Sequence, residues 1–302
     1  MNVFFLLFVF PLFLWTHEPS FVEGKLAGQL GNQMFQIATT VAHALKNRAL
    51  PVFPDLIHKK QYAIETNYRH VFFRLDTRTL PSQSFHYVQE EFHFKPIPFW
   101  GNMSLEGFFQ SEKFFEGYRA EILHLFRPSD RILADLKHLY QDIMSHNKSV
   151  AVHVRMYKDT FPEFHPFVKW DYILHAMNSF DPDSLFVIFS DQIEIAKKAL
   201  TKLCPDKNLV FISKNPHYLD LYLMSFCKHQ IISNSSFSWW GAYLNQNPDK
   251  IVIAPDTQRW FGCNYPWNTK DLLPLGWLEV KRRIAPKRLL TTRVECNQSK
   301  GM

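Results

Sequence analysis

The sequence predicts an α/β protein whose sheets are mostly parallel and whose chain divides into two domains near residue 147. Two observations carry this prediction. The chain opens with a strand-like segment, a glycine turn and a helical pattern, and after residue 147 five short apolar runs alternate with helical segments. Such alternation is typical of βαβ units, which place their strands side by side in a parallel sheet.

The first half begins with a strand-like segment at 24–28, which a tight turn joins to a helical pattern over 32–47. One face of that helix is apolar at the helical repeat. Several prolines and a weak periodicity predict irregular structure over 50–105. Two further helices are expected, at 111–124 and 129–146.

The second half has a more regular pattern. Its apolar runs have the length of buried strands and lie at 149–154, 184–190, 208–212, 230–233 and 250–254. The intervening segments predict helices at 169–178, 192–203, 218–227 and 238–244. Ligands of such sheets bind outside the carboxyl ends of the strands, so polar residues at these ends are candidates for function.

The amino terminus carries an apolar, uncharged run of about 13 residues from Val3 to Trp15. That length is below the roughly 20 residues of a membrane-spanning helix and fits the core of a signal peptide. We therefore expect residues 1–20 to be a targeting or anchoring segment and the protein to be membrane-associated. The compartment would be the Golgi lumen in a eukaryote and the cytoplasmic face of the inner membrane in a bacterium.

The net charge of +6 is confined to the carboxyl terminus. Residues 281–302 contain seven Lys or Arg and one Glu, a difference of six that equals the whole excess. A basic tail at 279–302 either contacts anionic lipid or is a solvated end. The body shows no interleaving of basic and aromatic residues, which argues against a nucleic-acid-binding protein.

The cysteines and glycines exclude several classes of site. No CxxC pair or zinc-spaced His/Cys cluster occurs, and no GxGxxG follows a strand. Metal sites, disulfide frameworks and dinucleotide oxidoreductases are therefore disfavoured, and buried thiols are the default for the four cysteines. These are Cys204, Cys227, Cys263 and Cys296.

A first polar motif, GQLGNQMFQIA, occupies 28–38. Gly28 and Gly31 allow the backbone to turn sharply and to approach a ligand closely. Asn32 suits either a helix N-cap or a cleft position, and Gln33 offers both a donor and an acceptor for sugar hydroxyls.

Two further motifs follow buried strands. His153 and Arg155 end the strand at 149–154, where an arginine fork can neutralise a pyrophosphate leaving group without a metal. A structural ion pair is the alternative role for Arg155. Asp191 follows the strand at 184–190 and suits either a helix N-cap or a contact to a nucleotide.

The most specific motif is ISNSSFSWWGAYLN at 232–245. Asn234, Ser235 and Ser236 precede an aromatic helix, and hydroxyls together with backbone N–H groups at a helix N-terminus form a cradle for phosphate. We expect the adjacent Trp239 and Trp240 to pack in the core.

These motifs, together with LEGFFQSEKFF at 105–115, DLYLMSFCKH at 220–229 and DLLPLGW at 271–277, resemble the α-1,2-fucosyltransferases of glycosyltransferase family 11. The resemblance covers about residues 24–278. It implies a GT-B-like arrangement of two Rossmann-type domains, with the acceptor side at 21–146 and the GDP-fucose side at 147–278. The implied reaction is an inverting, metal-independent transfer of fucose to the 2-hydroxyl of a galactose residue. The partners are then GDP-fucose and a galactose-terminated glycan, without any cofactor.

The resemblance also implies roles for individual residues. Arg155 would contact the β-phosphate and fucose, His153 the guanine side, and Asp191 the nucleotide or the reacting centre. The phosphates would lie on Asn234, Ser235 and Ser236, while Gly31, Asn32 and Gln33 would line the cleft on the acceptor side.

One departure from the family pattern concerns the segment after the strand at 149–154. The family continues as His-x-Arg-Arg-Gly-Asp, whereas this chain reads His-Val-Arg-Met-Tyr-Lys-Asp, so that Met156 stands where a second Arg is usual. The alternative function is therefore a protein that binds a GDP-sugar or a glycan but has lost catalysis. Asp191 and Asp159 are the candidates for a catalytic base, and the alternative is a mechanism driven mostly by Arg155 and the phosphate cradle.

Overall fold

The computed structural model describes residues 19–79, 85–157 and 161–281 and contains two parallel sheets. The first sheet has four strands in the spatial order β2-β1-β4-β3. In chain order they are β1 (Phe21–Gly24), β2 (Leu50–Val52), β3 (Phe85–Val88) and β4 (Met103–Glu106).

The second sheet has six strands in the spatial order β10-β9-β8-β5-β6-β7. Every pairing in it is parallel, so the carboxyl ends of its strands share one edge. The strands are β5 (Ser149–Val154), β6 (Leu185–Ser190), β7 (Asn208–Phe211), β8 (His229–Ile231), β9 (Val252–Pro255) and β10 (Leu278–Val280).

Helices connect the strands and cover both sheets. In chain order they are α1 (Leu30–Lys46), α2 (Asp55–His58), α3 (Ile64–His70), α4 (Arg119–Leu125), α5 (Asp130–Ser145), α6 (Trp170–Met177), α7 (Ile193–Leu203), α8 (His217–Phe226) and α9 (Ser236–Leu244). Short 3-10 helices lie at Glu112–Phe114 and Thr257–Arg259. This architecture confirms the predicted fold class of mostly parallel α/β sheets.

Three predictions for the first half were wrong. The first strand lies at Phe21–Gly24 instead of 24–28, because the chain bends toward the α1 turn at Gly28, where φ is +72°. The region 50–105 is not irregular throughout, since β2, β3 and β4 lie in it. The helix expected at 111–124 is interrupted at Gly117, whose φ of +88° is incompatible with helix.

The second half agrees with the sequence more closely. β5 lies at the predicted 149–154, and the other predicted strands and helices are found within a few residues of their expected positions. The tail prediction began too early, because β10 pairs with β9 and extends to Val280. Residues 282–302, and with them most of the predicted tail, lie outside the described residues.

One hydrophobic core joins the two halves of the chain through the packing of α1 against α9. Phe35 of α1 lies with its ring centroid 4.5 Å from that of Trp239, and Phe35, Trp239 and Trp240 all have no exposed surface. The expected core role of the two tryptophans is confirmed. The packing holds the carboxyl-edge loops of the second sheet against the start of α1, where the polar motifs meet.

The remaining predictions on organisation concern the cysteines, the termini and the domains. Cys204 and Cys227 are buried as expected, whereas Cys263 is exposed. No helix within the described ranges is long and apolar enough to cross a membrane, and residues 1–18 of the expected targeting segment lie outside those ranges. The first sheet takes its strands from before residue 147 and the second from after it, and the division of the chain into two domains there stays a prediction.

Candidate active site

A cleft of about 730 Å³ runs between the two halves along the carboxyl edge of the second sheet. Its first-half wall comes from the start of α1, from α3 and from the segment after β4, and its second-half wall from the loops after β5 to β9. Of the sequence-predicted residues, those that line it are Asn32, His153, Arg155, Asp191, Asn234, Ser235 and Ser236.

Asp191 holds the loop that follows β5. Its two carboxylate oxygens accept the backbone N–H groups of Met156 at 2.9 Å and of Tyr157 at 3.1 Å. The same carboxylate lies 3.4 Å from Nη1 of Arg155. Asp191 is therefore not the N-cap of α7, a position that Gln192 occupies, and its side chain fixes both the turn and the guanidinium.

Tyr157 has a backbone conformation that a side chain rarely adopts, with φ at +53°. Its hydroxyl donates to the carbonyl oxygen of Asn234 at 2.5 Å, and its ring stacks on His165 with 4.8 Å between centroids. The Arg155 guanidinium lies 5.0 Å from the centroid of the same ring. The loop after β5 is thus tied directly to the segment that precedes α9.

His153 lies in the floor of the cleft and is 6% exposed. Its Nδ1 lies 2.9 Å from the hydroxyl oxygen of Ser233, on the neighbouring strand end. Burial, and secondarily the charge of Arg155, lowers the pKa of His153 to about 3. The imidazole is therefore neutral at working pH, so it does not add positive charge to the site.

The three predicted phosphate ligands before and in α9 are engaged with protein groups. Asn234 donates from its amide nitrogen to the carbonyl oxygens of Pro166 at 2.7 Å and Trp260 at 3.0 Å. Ser235 is the N-cap of α9, and the hydroxyl of Ser236 donates to Oδ1 of Asn32 at 2.9 Å. The group that remains available to an anion here is the N-terminus of α9 itself.

The first-half residues divide between the cleft and the interior. Oδ1 of Asn32 accepts hydrogen bonds from Ser236 and from Nε2 of Gln110, so Asn32 joins the two walls instead of capping α1. Gln33 does not line the cleft: it is fully buried, and its amide bonds Gly28, Tyr62 and Asn67. Gly31 is also interior, where it packs against Ser236.

Sequence reasoning missed a polar group that lies beyond β7. Asp220 on α8 lines the cleft and accepts a hydrogen bond from the amide of Asn215 at 3.0 Å. Burial raises the pKa of Asp220 to about 6. Nearby, Nε2 of His217 lies 2.6 Å from Oδ1 of Asn67, which connects α8 to α3. The DLYLMSFCKH stretch that begins at Asp220 was the available signal.

Sequence reasoning also missed a group of aromatic rings at the opposite end of the cleft, here called the aromatic wall. Trp267 lies at its centre and stacks on Tyr265 with 4.5 Å between ring centroids and on Phe92 with 5.1 Å. Phe261 contacts Trp267 edge-on at 4.8 Å. The wall consists of Phe92, Phe108, Phe261, Tyr265 and Trp267.

Comparison with known proteins places this chain in a family. The sequence profile described as Glycosyl transferase family 11 matches residues 16–263. The chain belongs to glycosyltransferase family 11. It is 29% identical over 296 residues to the alpha-1,2-colitosyltransferase of Escherichia coli, an alignment that covers 87% of this chain and 100% of that protein.

A mammalian family relative is also similar over most of its length. The galactoside 2-alpha-L-fucosyltransferase Sec1 of Mus musculus is 26% identical over 280 residues, which cover 87% of this chain and 73% of that protein. Among solved structures, the fucosyltransferase NodZ from Bradyrhizobium superposes with a TM-score of 0.53 at 14% identity, covering 78% of this chain and 95% of that one. This likeness establishes the two-sheet fold, which is that of GT-B-type fucosyltransferases.

The loop after β5 contains the segment in which this chain departs from the usual family pattern. Tyr157 in this loop adopts a left-handed backbone, a conformation that glycine favours. The Met156 side chain packs against the core of the second sheet, so it does not supply the charge of the usual second Arg. Asp159, the other candidate base, lies outside the described residues.

Within the described ranges, no group of three or more His, Cys, Asp or Glu side chains is arranged to hold a metal ion. The charged side chains that line the cleft there are Arg155, Asp191 and Asp220. The described part of the site therefore offers one guanidinium and a helix N-terminus as its groups for a diphosphate.

Proposed function

We propose that this family 11 glycosyltransferase transfers L-fucose from GDP-fucose to the 2-hydroxyl of a galactose residue, with inversion and without a metal ion. The observation that carries the proposal is the position of Arg155. Asp191 holds its guanidinium at the carboxyl edge of the sheet, and the Tyr157 hydrogen bond ties its loop to the segment that leads into α9. A fixed cation beside a helix N-terminus suits a diphosphate leaving group.

The chemical step then depends mainly on the leaving group. The bond between fucose C1 and the β-phosphate oxygen breaks while the acceptor oxygen attacks from the opposite face. The electron pair departs with GDP, and the proton of the acceptor hydroxyl passes to the departing diphosphate or to solvent. Negative charge grows on the diphosphate as this bond lengthens, so a pre-positioned Arg155 stabilises the transition state more than the bound donor. Because Asp191 already accepts two backbone N–H groups and faces Arg155, we assign it to positioning instead of proton transfer.

We assign the guanine base to the Asp220 end of the cleft. The Watson–Crick edge of guanine presents N–H donors, and a carboxylate accepts two such donors at once. Asp191 is engaged elsewhere, whereas Asp220 accepts a hydrogen bond from Asn215 and shares the cleft lining with the apolar side chains of Phe237 and Met224. The imidazole of His153 in the cleft floor is neutral, which is compatible with an uncharged base bound in this cleft.

A colitosyl donor is a second candidate, since the alpha-1,2-colitosyltransferase of Escherichia coli aligns over its whole length with this chain. Colitose is fucose without the 3-hydroxyl group, so both donors present the same guanosine and diphosphate. A comparison of kcat/KM for GDP-fucose and GDP-colitose with one galactoside acceptor decides between them. A site that hydrogen-bonds the 3-hydroxyl discriminates strongly against the sugar that lacks it.

The assignment of Arg155 to the phosphates makes a prediction for nucleotide binding. We expect Arg155→Ala to weaken binding of GDP by about tenfold or more and binding of GMP much less, because the guanidinium pairs with the β-phosphate. Calorimetry with both nucleotides measures this difference, and Arg131→Ala on the exposed face of α5 is the matched control. Equal losses for GDP and GMP would contradict the assignment of Arg155 to the phosphates.

A further inference from the structure

The order of the strands fixes the order of the groups along the cleft. Along the carboxyl edge of the second sheet, the strands lie in the spatial order β9, β8, β5, β6, β7. The loops after β8 and β5 bring Ser235 and Arg155 to the middle of that edge. The loop after β7 leads to Asp220 at one end, and the segment after β9 carries three rings of the aromatic wall at the other.

A nucleotide sugar has its diphosphate between the base and the sugar, so its two ends must point in opposite directions along this edge. With the diphosphate at Arg155 and the guanine at Asp220, the fucose points toward the segment after β9. The acceptor must reach fucose C1 from the far side of the leaving group, which again is the end of the cleft formed by the aromatic wall.

The chemistry of this end fits an uncharged, ring-shaped ligand. All three charged side chains in the described lining follow β5, β6 and β7, and none of them lies in the segments after β8 and β9. The same lining contains the amide side chains of Gln29, Asn32 and Gln110, a type of group that hydrogen-bonds hydroxyl groups. Trp267 remains 37% exposed despite its three close ring contacts.

Residues from both halves of the chain form the aromatic wall. Phe92 and Phe108 come from the segments flanking β4, whereas Phe261, Tyr265 and Trp267 follow β9. Its rings continue toward the reacting centre, since His165 lies 5.7 Å from Tyr265 and stacks on Tyr157. A continuous run of ring contacts therefore connects the wall to the Arg155 guanidinium, which lies 5.0 Å from the centroid of the Tyr157 ring.

We propose that the aromatic wall is the acceptor subsite and that it binds a neutral saccharide, a galactoside, by contact between the sugar's ring C–H groups and Trp267 and Tyr265. This inference rests on the proposed function for the direction of the donor. Aromatic faces and edges supply large apolar contact area with little loss of side-chain freedom, which suits the weak binding of a sugar.

The test uses the full chain with Trp267→Leu, Trp267→Phe and the control Trp100→Leu, whose ring is 49% exposed and does not line the cleft. We expect Trp267→Leu to raise the acceptor KM about tenfold and to leave the KM for GDP-fucose and the Kd for GDP unchanged. Trp267→Phe, which keeps a ring, is expected to show a smaller rise, and Trp100→Leu none. Thermal melting verifies that each variant is folded.

A binding measurement separates this inference from the proposed reaction. Saturation-transfer NMR with lactose and GDP is expected to show transfer from aromatic protons to galactose ring protons in the wild type and its loss in Trp267→Leu. Absence of turnover together with this signal would reject the proposed reaction and keep the subsite. Weaker GDP binding with an unchanged lactose signal would make the wall a nucleotide platform, and no change in any measurement would overturn the inference.

Discussion

At the scale of single residues, the position of Arg155 depends on a carboxylate whose two oxygens already accept hydrogen bonds. Asp191 accepts the N–H groups of Met156 and Tyr157 and pairs with the guanidinium. Tyr157 keeps its left-handed backbone, which costs on the order of 1 kcal/mol or more, while its hydroxyl bonds the carbonyl of Asn234. These contacts hold the loop after β5 in one conformation.

We therefore expect Asp191→Asn to weaken GDP binding by about tenfold, because the amide nitrogen cannot accept a backbone N–H and the ion pair is lost. Calorimetry measures the Kd for GDP, and Asp135→Asn, an exposed carboxylate of α5, is the matched control. Unchanged GDP binding with a large loss of transfer would show instead that Asp191 is the catalytic base.

Asp220 illustrates a carboxylate retained at a cost in stability. Burial raises its pKa from 3.8 to about 6, so the folded state binds this proton more tightly than the unfolded chain does. Its contribution to stability therefore falls as the pH rises from about 4 to about 6 and stays unfavourable above that range. The unfavourable contribution is at most about 3 kcal/mol, and such a residue is expected at a binding site.

We expect Asp220→Asn to melt at a higher temperature than the wild type above about pH 7, and at the same temperature below about pH 4. The same substitution should weaken GDP binding, and wild-type GDP affinity should fall as the pH drops below about 6, because the protonated carboxyl accepts guanine donors poorly. Melting curves and calorimetry across this pH range measure both effects. A variant that binds GDP normally would contradict the guanine assignment.

At the scale of elements, the contact between α1 and α9 sets the width of the cleft. A Cβ atom at Gly31 would lie 2.5 Å from the carbonyl carbon of Ser236 and 2.6 Å from the nitrogen of Phe237. These are backbone atoms at the first turn of α9, so they move only if the helix moves. Glycine at this position lets the two helices approach closely.

Gly31→Ala is accordingly expected to destabilise the protein by about 1–3 kcal/mol and to lower GDP affinity, since the N-terminus of α9 is displaced. Gly117→Ala is the control: its φ of +88° makes alanine strained, but no atom lies within 4 Å of the added carbon. Chemical denaturation and calorimetry compare the two variants. Equal loss of stability with unchanged GDP affinity in both would contradict this role of the helix contact.

The elements also show which parts of the fold the sequence specifies locally. All six residues of β5, SVAVHV, are buried and four of them are apolar, which made its bounds predictable. β2 and β4 are only three and four residues long and lie among prolines, so their pairing with β1 depends on distant partners that no local pattern reveals. The interruption of the predicted helix 111–124 at Gly117 was also not predictable locally. The backbone conformation of this glycine follows from the tertiary fold.

At the scale of the whole molecule, the cleft is a product of two halves joined by one core. The motifs around Arg155 and α9 were recognisable in the sequence because each follows a strand directly, as ligand-binding residues of parallel sheets do. Gln33 was misjudged and Asp220 was missed, since the sequence does not show that the first faces Asn67 in the interior and the second faces the cleft. Such assignments depend on how α1, α3 and α8 meet.

The central claim is that this cleft transfers fucose to the 2-hydroxyl of galactose without a metal. The most direct test incubates the protein with GDP-fucose and lactose in EDTA, and determines GDP release and the product linkage by NMR. We predict equal amounts of GDP and an α-1,2-fucosylated galactoside, both lost in Arg155→Ala. Bound GDP without any product, activity that requires an added divalent cation, or a different linkage would contradict the claim.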